Sequence, residues 1–113
     1  MKQRIGDHFG TLERKARLLS TFANANRLHM LQLLAAGEMS VGELAEKVEL
    51  SQSAVSQHLA LLREENIVKA RRDSQTKYYA LESEAARTLL DTLTDIFELQ
   101  LQSGLGNFLL GDS

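Results

Sequence analysis

The sequence contains neither cysteine nor proline among its 113 residues. Without cysteine, the chain has no disulfide, no thiolate metal site and no thiol redox sensor. There is no proline-marked linker, and the sequence shows no low-complexity segment and no internal repeat. Because the length suits one hydrophobic core, we expect residues 1–113 to form a single domain.

Long apolar runs are also missing. No stretch is long enough to span a bilayer, and residues 1–10 lack the apolar region of a secretory signal. Apolar residues make up 43% of the chain and charged residues 25%, which is ordinary for a globular protein in water. These features predict a cytoplasmic protein with no membrane partner.

The net charge of the whole chain is small, at −2, which argues against a protein that coats nucleic acid without regard to sequence. The charges are unevenly placed, however. Residues 52–79 carry five basic and three acidic side chains, whereas residues 80–113 carry one basic and six acidic. A basic centre attracts phosphate locally, although a solvated surface hairpin would have the same composition.

The spacing of apolar residues predicts consecutive helices with one β interruption. Two N-terminal helices occupy residues 12–36, with a break at 24–26 and a stop at Gly37. A hairpin is predicted from strands at about 67–72 and 75–81, turning at Asp73-Ser74. A last helix follows over residues 83–102, and the final residues form either a docked segment or a frayed end. The predicted fold class is mainly α with a small β-hairpin.

Residues 40–66 carry two helix-start signals. Ser40 and Glu43 have the spacing of a capping box, and Ser51 suits the N-cap of the next helix, which runs to about residue 66. That second helix has a stripe of apolar residues at helical spacing, consisting of Val55, Leu59 and Leu62. A short helix, a tight turn and a second helix with a polar exposed start are typical of a helix-turn-helix.

Candidate DNA-contacting residues lie at the start of this second helix or near and within the basic hairpin. They are Ser51, Gln52, Ser53, Ser56, Gln57, His58, Arg63, Arg71, Arg72, Gln75, Thr76, Lys77 and Tyr78. Glutamine pairs with adenine and serine with several bases, whereas cations neutralise phosphates or enter the minor groove. Several have a structural alternative: Ser51 as a cap alone, His58 as a packing residue, and one of the two hairpin tyrosines as a core residue.

The stretch LSQSAVSQHLALLREENIVKARRDSQTKYYAL, residues 50–81, resembles the winged helix-turn-helix of the ArsR-type (arsenic-repressor-like) bacterial transcriptional regulators. FANANRLHMLQLL and EMSVGELAEKVELSQSAVSQHL resemble the helices that precede it, so the similarity covers about residues 12–100. The resemblance implies a sequence-specific DNA-binding regulator, most often a repressor. It also implies a homodimer on an imperfect inverted repeat of double-stranded DNA, in which the hairpin is the wing.

The resemblance further implies that the first and last helices form the dimer interface. On the last helix the apolar residues cover an arc wider than one small core needs, although the helix could simply cross its own core. The predicted interface residues are Leu12, Leu19, Leu89, Leu90, Leu93, Ile96 and Phe97.

The family's sensor residues are not matched. The segment EMSVGEL has Ser40 and Gly42 where metal-binding members place thiolates, and the last helix has no histidine to accompany Asp91 and Asp95. The chain therefore resembles the branch that lacks the metal and thiol sensor sites. We expect no metal and no cofactor, and the sequence identifies no effector.

Two alternatives stay open at this point. The domain could be a protein-interaction module, although its uncharged Gln/Ser face lacks the large apolar anchors typical of such surfaces. It could also be a regulator with a small-molecule pocket at the dimer interface. An enzyme is not expected, because Ser56 and His58 point about 200° apart on a helix and no phosphate loop is present.

Overall fold

The computed structural model describes residues 2–103, with side chains described for residues 10–99. This part of the chain forms five helices and a small antiparallel sheet, which confirms the predicted fold class. In chain order the elements are α1 (Lys2–Phe22), α2 (Ala25–Ala36), β1 (Met39–Ser40), α3 (Val41–Val48), α4 (Gln52–Glu64), β2 (Val68–Asp73), β3 (Thr76–Leu81) and α5 (Glu84–Ser103). None of the described helices combines the length and the hydropathy needed to cross a bilayer. The expectation for the final residues, 104–113, lies outside the described residues.

The chain divides into two compact units, with the boundary between Glu82 and Ser83. The first unit has its core between α2, α3, α4 and the sheet. Its buried apolar side chains include Met30, Leu31, Leu34, Leu44, Val55, Leu59, Leu62, Ile67, Val68 and Tyr79. The predicted stripe of α4 is confirmed, because all three of its members are fully buried, and each such burial contributes about 1.5–3 kcal/mol. Their burial fixes which face of α4 is left outside.

Local capping sets the ends of the helices as the sequence predicts. The capping box of α3 is complete: the Ser40 N–H donates to Glu43 Oε1 at 2.8 Å, and the Glu43 N–H donates to Ser40 Oγ at 3.1 Å. Ser51 Oγ accepts from the Ala54 N–H at 3.1 Å and caps α4. The N–H of Gly37 donates to the Leu34 carbonyl and ends α2. These caps satisfy backbone groups that a helix end leaves without a partner.

The hairpin is shifted by one residue from the predicted strand starts. The Ile67 N–H donates back to the Leu62 carbonyl at 2.9 Å, and Asn66 adopts the left-handed φ of 61° that closes α4. The first strand of the hairpin therefore starts at Val68 instead of residue 67. Because Asp73 pairs with Thr76, the turn consists of residues 74–75.

The sheet has a third strand that the sequence did not predict. Met39 and Ser40 pair antiparallel with Tyr79 and Tyr78, so the strand order is β1-β3-β2. A strand of two residues has no periodic pattern of its own, which is why only the hairpin was predictable. Ser40 ends β1 and also caps α3, so the sheet leads directly into the helix-turn-helix.

The second unit is described by α5. Ser83 Oγ accepts from the Ala86 N–H at 3.0 Å and starts the helix, one residue later than predicted. Of the predicted interface residues on this helix, Ile96 and Phe97 are 41% and 45% exposed, whereas Leu90 is only 5% exposed. Leu89 and Leu93 are half-buried.

Candidate nucleic-acid interface

The start of α4 is positioned by a three-residue turn after α3. Glu49 takes a left-handed φ of 58°, and the Leu50 N–H donates to the Ala45 carbonyl at 3.1 Å. Ser51 then caps α4. The buried stripe holds the helix against the core, so its opposite face is turned outward. The turn and the stripe together set the direction in which the first two turns of α4 project.

Four uncharged polar side chains occupy the outward face of α4, namely Gln52, Ser53, Ser56 and Gln57, all exposed. The amide of Gln52 lies beside α3, since its Nε2 would be 3.7 Å from a Cβ at Gly42. The other three project from the helix without a hydrogen bond to any described residue. Amides and hydroxyls both donate and accept, which suits them to base edges in a major groove.

His58 is turned toward α2 instead of outward. Arg27 Nη1 lies 3.5 Å from His58 Nδ1, and the same guanidinium donates to the Thr21 carbonyl at 2.7 Å and to the Ser20 carbonyl at 3.3 Å. Burial, and then the nearby Arg27 charge, hold the pKa of His58 below its ordinary value. This environment suits the packing role named as an alternative for His58. Arg27 had no sequence signal, because its partner is 31 residues away.

The two faces of the hairpin divide the predicted cations. Arg71 is opposite Tyr78 in the register, and Arg72 is opposite Lys77. Because side chains alternate across a strand, the two pairs are on different faces of the sheet. The predicted set Arg71, Arg72 and Lys77 is thus not one cluster.

Arg72 on β2 and Lys77 on β3 lie directly opposite each other and form a cationic pair. Neither makes an ion pair with any residue in the described part of the chain. Like charges at such positions are destabilising unless an anion is present. Lys77 also lines an open groove of about 740 Å³ with Ser56 and Arg63 of α4. The inner face of the hairpin and α4 thus border one groove, while Gln75 and Thr76 are exposed at the tip.

Arg71 is held on the other face. Its Nε donates to Glu38 Oε2 at 2.7 Å, its Nη2 donates to Glu38 Oε1 at 2.8 Å, and its guanidinium lies 4.8 Å from the centroid of the Tyr78 ring. The hydrogen bonds from Arg71 lower the pKa of Glu38, and those same bonds raise the pKa of Arg71. The sequence did not point to Glu38, which is 33 residues from its partner.

A metal site has no support in the part of the chain that the structure describes, where no three histidine or carboxylate side chains come together. Another groove, of about 880 Å³, lies between α1 and the end of α4. It is wide open and lined by both cations and carboxylates, including Arg14, Arg17, Glu64 and Glu65. It is not an enclosed ligand cavity of the usual kind.

A short helix, a tight turn, a second helix with an exposed polar start and a basic hairpin define a winged helix-turn-helix. Residues 24–70 match the model of the arsR family of bacterial regulatory proteins. The chain belongs to this family, and it is a DNA-binding transcriptional regulator. The resemblance inferred from the sequence is confirmed.

Curated relatives share most of this region. The chain is 52% identical to the nodulation protein NolR of Rhizobium meliloti over 82 residues, covering 73% of this chain and 67% of the relative. It is 44% identical to the transcriptional activator HlyU of Vibrio cholerae over 80 residues, covering 71% and 74%. It is 43% identical to the biofilm growth-associated repressor of Agrobacterium fabrum over 80 residues, covering 71% and 68%.

A solved structure with the same fold comes from Mycobacterium bovis. It is the homodimeric winged helix-turn-helix DNA-binding domain of a possible ArsR-family regulator, superposing with a TM-score of 0.77 at 28% identity. The match covers 85% of this chain and 89% of that one. The common fold therefore extends well beyond the helix-turn-helix itself.

Proposed function

We propose that the chain binds an inverted-repeat operator as a homodimer, reads bases with the start of α4 and holds the flanking backbone with the hairpin. One observation carries this proposal: Ser56 of the uncharged Gln/Ser face of α4 and Lys77 of the cationic pair line the same groove. A surface that combines base-reading groups with phosphate-neutralising charge fits a duplex better than it fits a protein partner.

Base reading in this proposal belongs to Gln52, Ser53, Ser56 and Gln57. A glutamine amide matches adenine N6 and N7 in the major groove, and a serine hydroxyl accepts or donates with several bases. Contacts with the DNA backbone belong to Ser51, Arg63, Arg72, Lys77 and the hairpin tip at Gln75 and Thr76. His58 acts through packing, because it is turned toward Arg27.

Dimerisation is supported by the apolar surface that α1 and α5 each leave exposed. Leu12 and Leu19 on α1 are 47% and 59% exposed, which is unusual for large apolar residues at helical spacing. The homodimeric relative from M. bovis supports the same assembly. Two copies of α4 would then lie about 34 Å apart and enter successive major grooves.

The predicted regions then take separate roles within one functional domain. Residues 40–66 form the helix-turn-helix, residues 67–81 form the wing, and residues 12–36 and 83–102 form the supporting and dimerising helices. We infer that the protein acts in the cytoplasm, without catalysis, by covering a promoter and repressing transcription. Relatives that are named repressors support this direction of control, whereas HlyU is named an activator.

The test is selection of genomic DNA fragments by the purified protein, together with its mass in solution by light scattering. We expect enrichment of an inverted repeat with half-sites centred about 10 base pairs apart or a multiple of that, and twice the chain mass of 12.6 kDa. Transcription in vitro from a selected promoter should fall as protein is added. No saturable binding at low salt would overturn the proposal in favour of a protein-interaction module.

A further inference from the structure

We propose that Arg71 is a positioning residue, which clamps the hairpin to the start of the helix-turn-helix through Glu38 and Tyr78 and does not neutralise a phosphate. This inference rests on the proposed DNA binding. It gives different roles to two adjacent arginines that the sequence alone does not distinguish. Arg72 contacts the DNA backbone, and Arg71 sets the angle of the hairpin. The contact between Arg71, Glu38 and Tyr78 is called the Arg71 clamp below.

The Arg71 clamp crosses all three strands of the sheet. Ser40, Tyr78 and Arg71 are successive partners in the register, one on each strand, and Glu38 comes two residues before Ser40. The guanidinium therefore starts on one edge strand, passes over the Tyr78 ring on the central strand and reaches the carboxylate ahead of the other edge strand. A bidentate pair fixes both the distance and the plane of the two groups.

The edge strand β1 needs such a contact. It has only two residues, so few backbone hydrogen bonds hold it to β3. Its last residue, Ser40, also provides the capping box of α3. Whatever holds β1 in place thus sets the hairpin relative to the first helix of the helix-turn-helix. The other exposed pair on the sheet, Lys69 with Glu82, stays at the base of the hairpin and does not reach β1.

Arg71 is also poorly placed to serve as a phosphate contact. Its side chain is on the face opposite the cationic pair of Arg72 and Lys77, which is on the side of the groove shared with α4. Its charge is already matched by Glu38, so a phosphate would only replace one anion with another. Binding there would release little counterion from the DNA, and counterion release is what gives phosphate contacts their salt dependence.

The first test compares the salt dependence of Arg71→Ala with that of Arg72→Ala, using a fluorescein-labelled duplex selected by the parent protein. Arg72→Ala should reduce the slope of log affinity against log salt by about 0.9, the value of one lost phosphate contact. Arg71→Ala should keep the parent slope and weaken binding roughly three- to tenfold at every salt concentration. The hairpin would be misplaced, but the side chains that contact phosphate would keep their charge. A slope reduced as much as in Arg72→Ala would overturn the proposal.

The second test needs no DNA. Hydrogen exchange of the backbone amides that join β1 to β3 should accelerate in Arg71→Ala and in Glu38→Ala by similar factors, and no further in the double variant. Arg72→Ala is the matched control and should leave these amides unchanged. Equal protection in the parent and Arg71→Ala would contradict the clamp. Since this readout concerns the free protein, it stands apart from a failure of the parent to bind duplex, which would overturn only the proposed function.

Discussion

Single residues on the outward face of α4 decide base preference in the proposed complex. Gln57 is exposed, whereas the Gln52 amide is beside α3. Gln57 is therefore the clearer case of a side chain whose hydrogen-bonding groups are left for DNA. Such a residue should act on specificity without acting on the salt dependence, because an uncharged amide releases no counterions.

Gln57→Ala should weaken binding to the selected operator by about 1–3 kcal/mol and leave random-sequence affinity and the salt slope unchanged. Competition titrations with single-base operator variants check this, since discrimination should be lost at one position in each half-site. Gln32→Ala, at an exposed glutamine on α2, is the matched control. Equal loss on operator and random duplex would contradict base reading.

His58 makes folding sensitive to mild acid. Its pKa lies below the ordinary 6.5, mainly because of burial and then because of Arg27, so folding favours the neutral ring. Its contribution to stability is fully present above pH 6.5 and is lost as the pH falls through the lowered value. His58→Gln should therefore flatten the loss of unfolding free energy between pH 7.5 and 5.5 in urea titrations.

The exposed His29 on α2 offers the control for this pH effect. His29→Gln should leave the pH dependence of stability close to that of the parent. If His58→Gln and the parent lost stability equally over this range, the ring would not be the group responsible.

Among the elements, α3 carries a glycine in its first turn. A Cβ at Gly42 would lie 3.7 Å from Gln52 Nε2 and 4.0 Å from Ser40 Oγ, which are ordinary contact distances. Glycine in a helix is less favourable than alanine by roughly 0.5–1 kcal/mol. Gly42→Ala should raise the free energy of unfolding by about this amount, measured by urea titration. A loss of stability would show that α3 and α4 are packed more closely than these distances indicate.

Elements were predictable where their signals are local. The capping box at Ser40, the cap at Ser51 and the buried stripe of α4 each depend on residues within one or two helical turns. The strand β1, the Arg71 clamp and the contact of Arg27 with His58 were missed, because each joins residues some 30 or more positions apart. The periodicity of apolar residues and the propensity of each residue for helix or strand carry no information about such pairings. Family resemblance identified the wing, but not which of its two arginines makes no ion pair with a described residue.

At the level of the whole molecule, α1 leaves two large apolar side chains exposed to water at helical spacing, Leu12 and Leu19. Leu19→Glu should convert a dimer into a monomer of 12.6 kDa, because a buried carboxylate at the interface would be desolvated without a partner. Operator affinity should fall by roughly 100-fold or more as the two half-sites are bound independently. Sedimentation and anisotropy titrations measure the two effects.

Arg14→Glu gives the corresponding control, since Arg14 is exposed on the other side of α1. It introduces the same side chain and should leave the mass of the assembly unchanged. A dimeric Leu19→Glu protein would show that α1 does not form the interface.

The cationic pair at the tip of the hairpin makes dissolved salt act oppositely on the free and bound protein. In the free protein, added ions screen the repulsion between Arg72 and Lys77 and make the hairpin more stable. In the complex, the same ions compete with those side chains for phosphate and favour release. A rise in ionic strength would thus release the protein from its operator and at the same time stabilise its hairpin. The released protein would keep the hairpin folded and could bind again when the ionic strength falls.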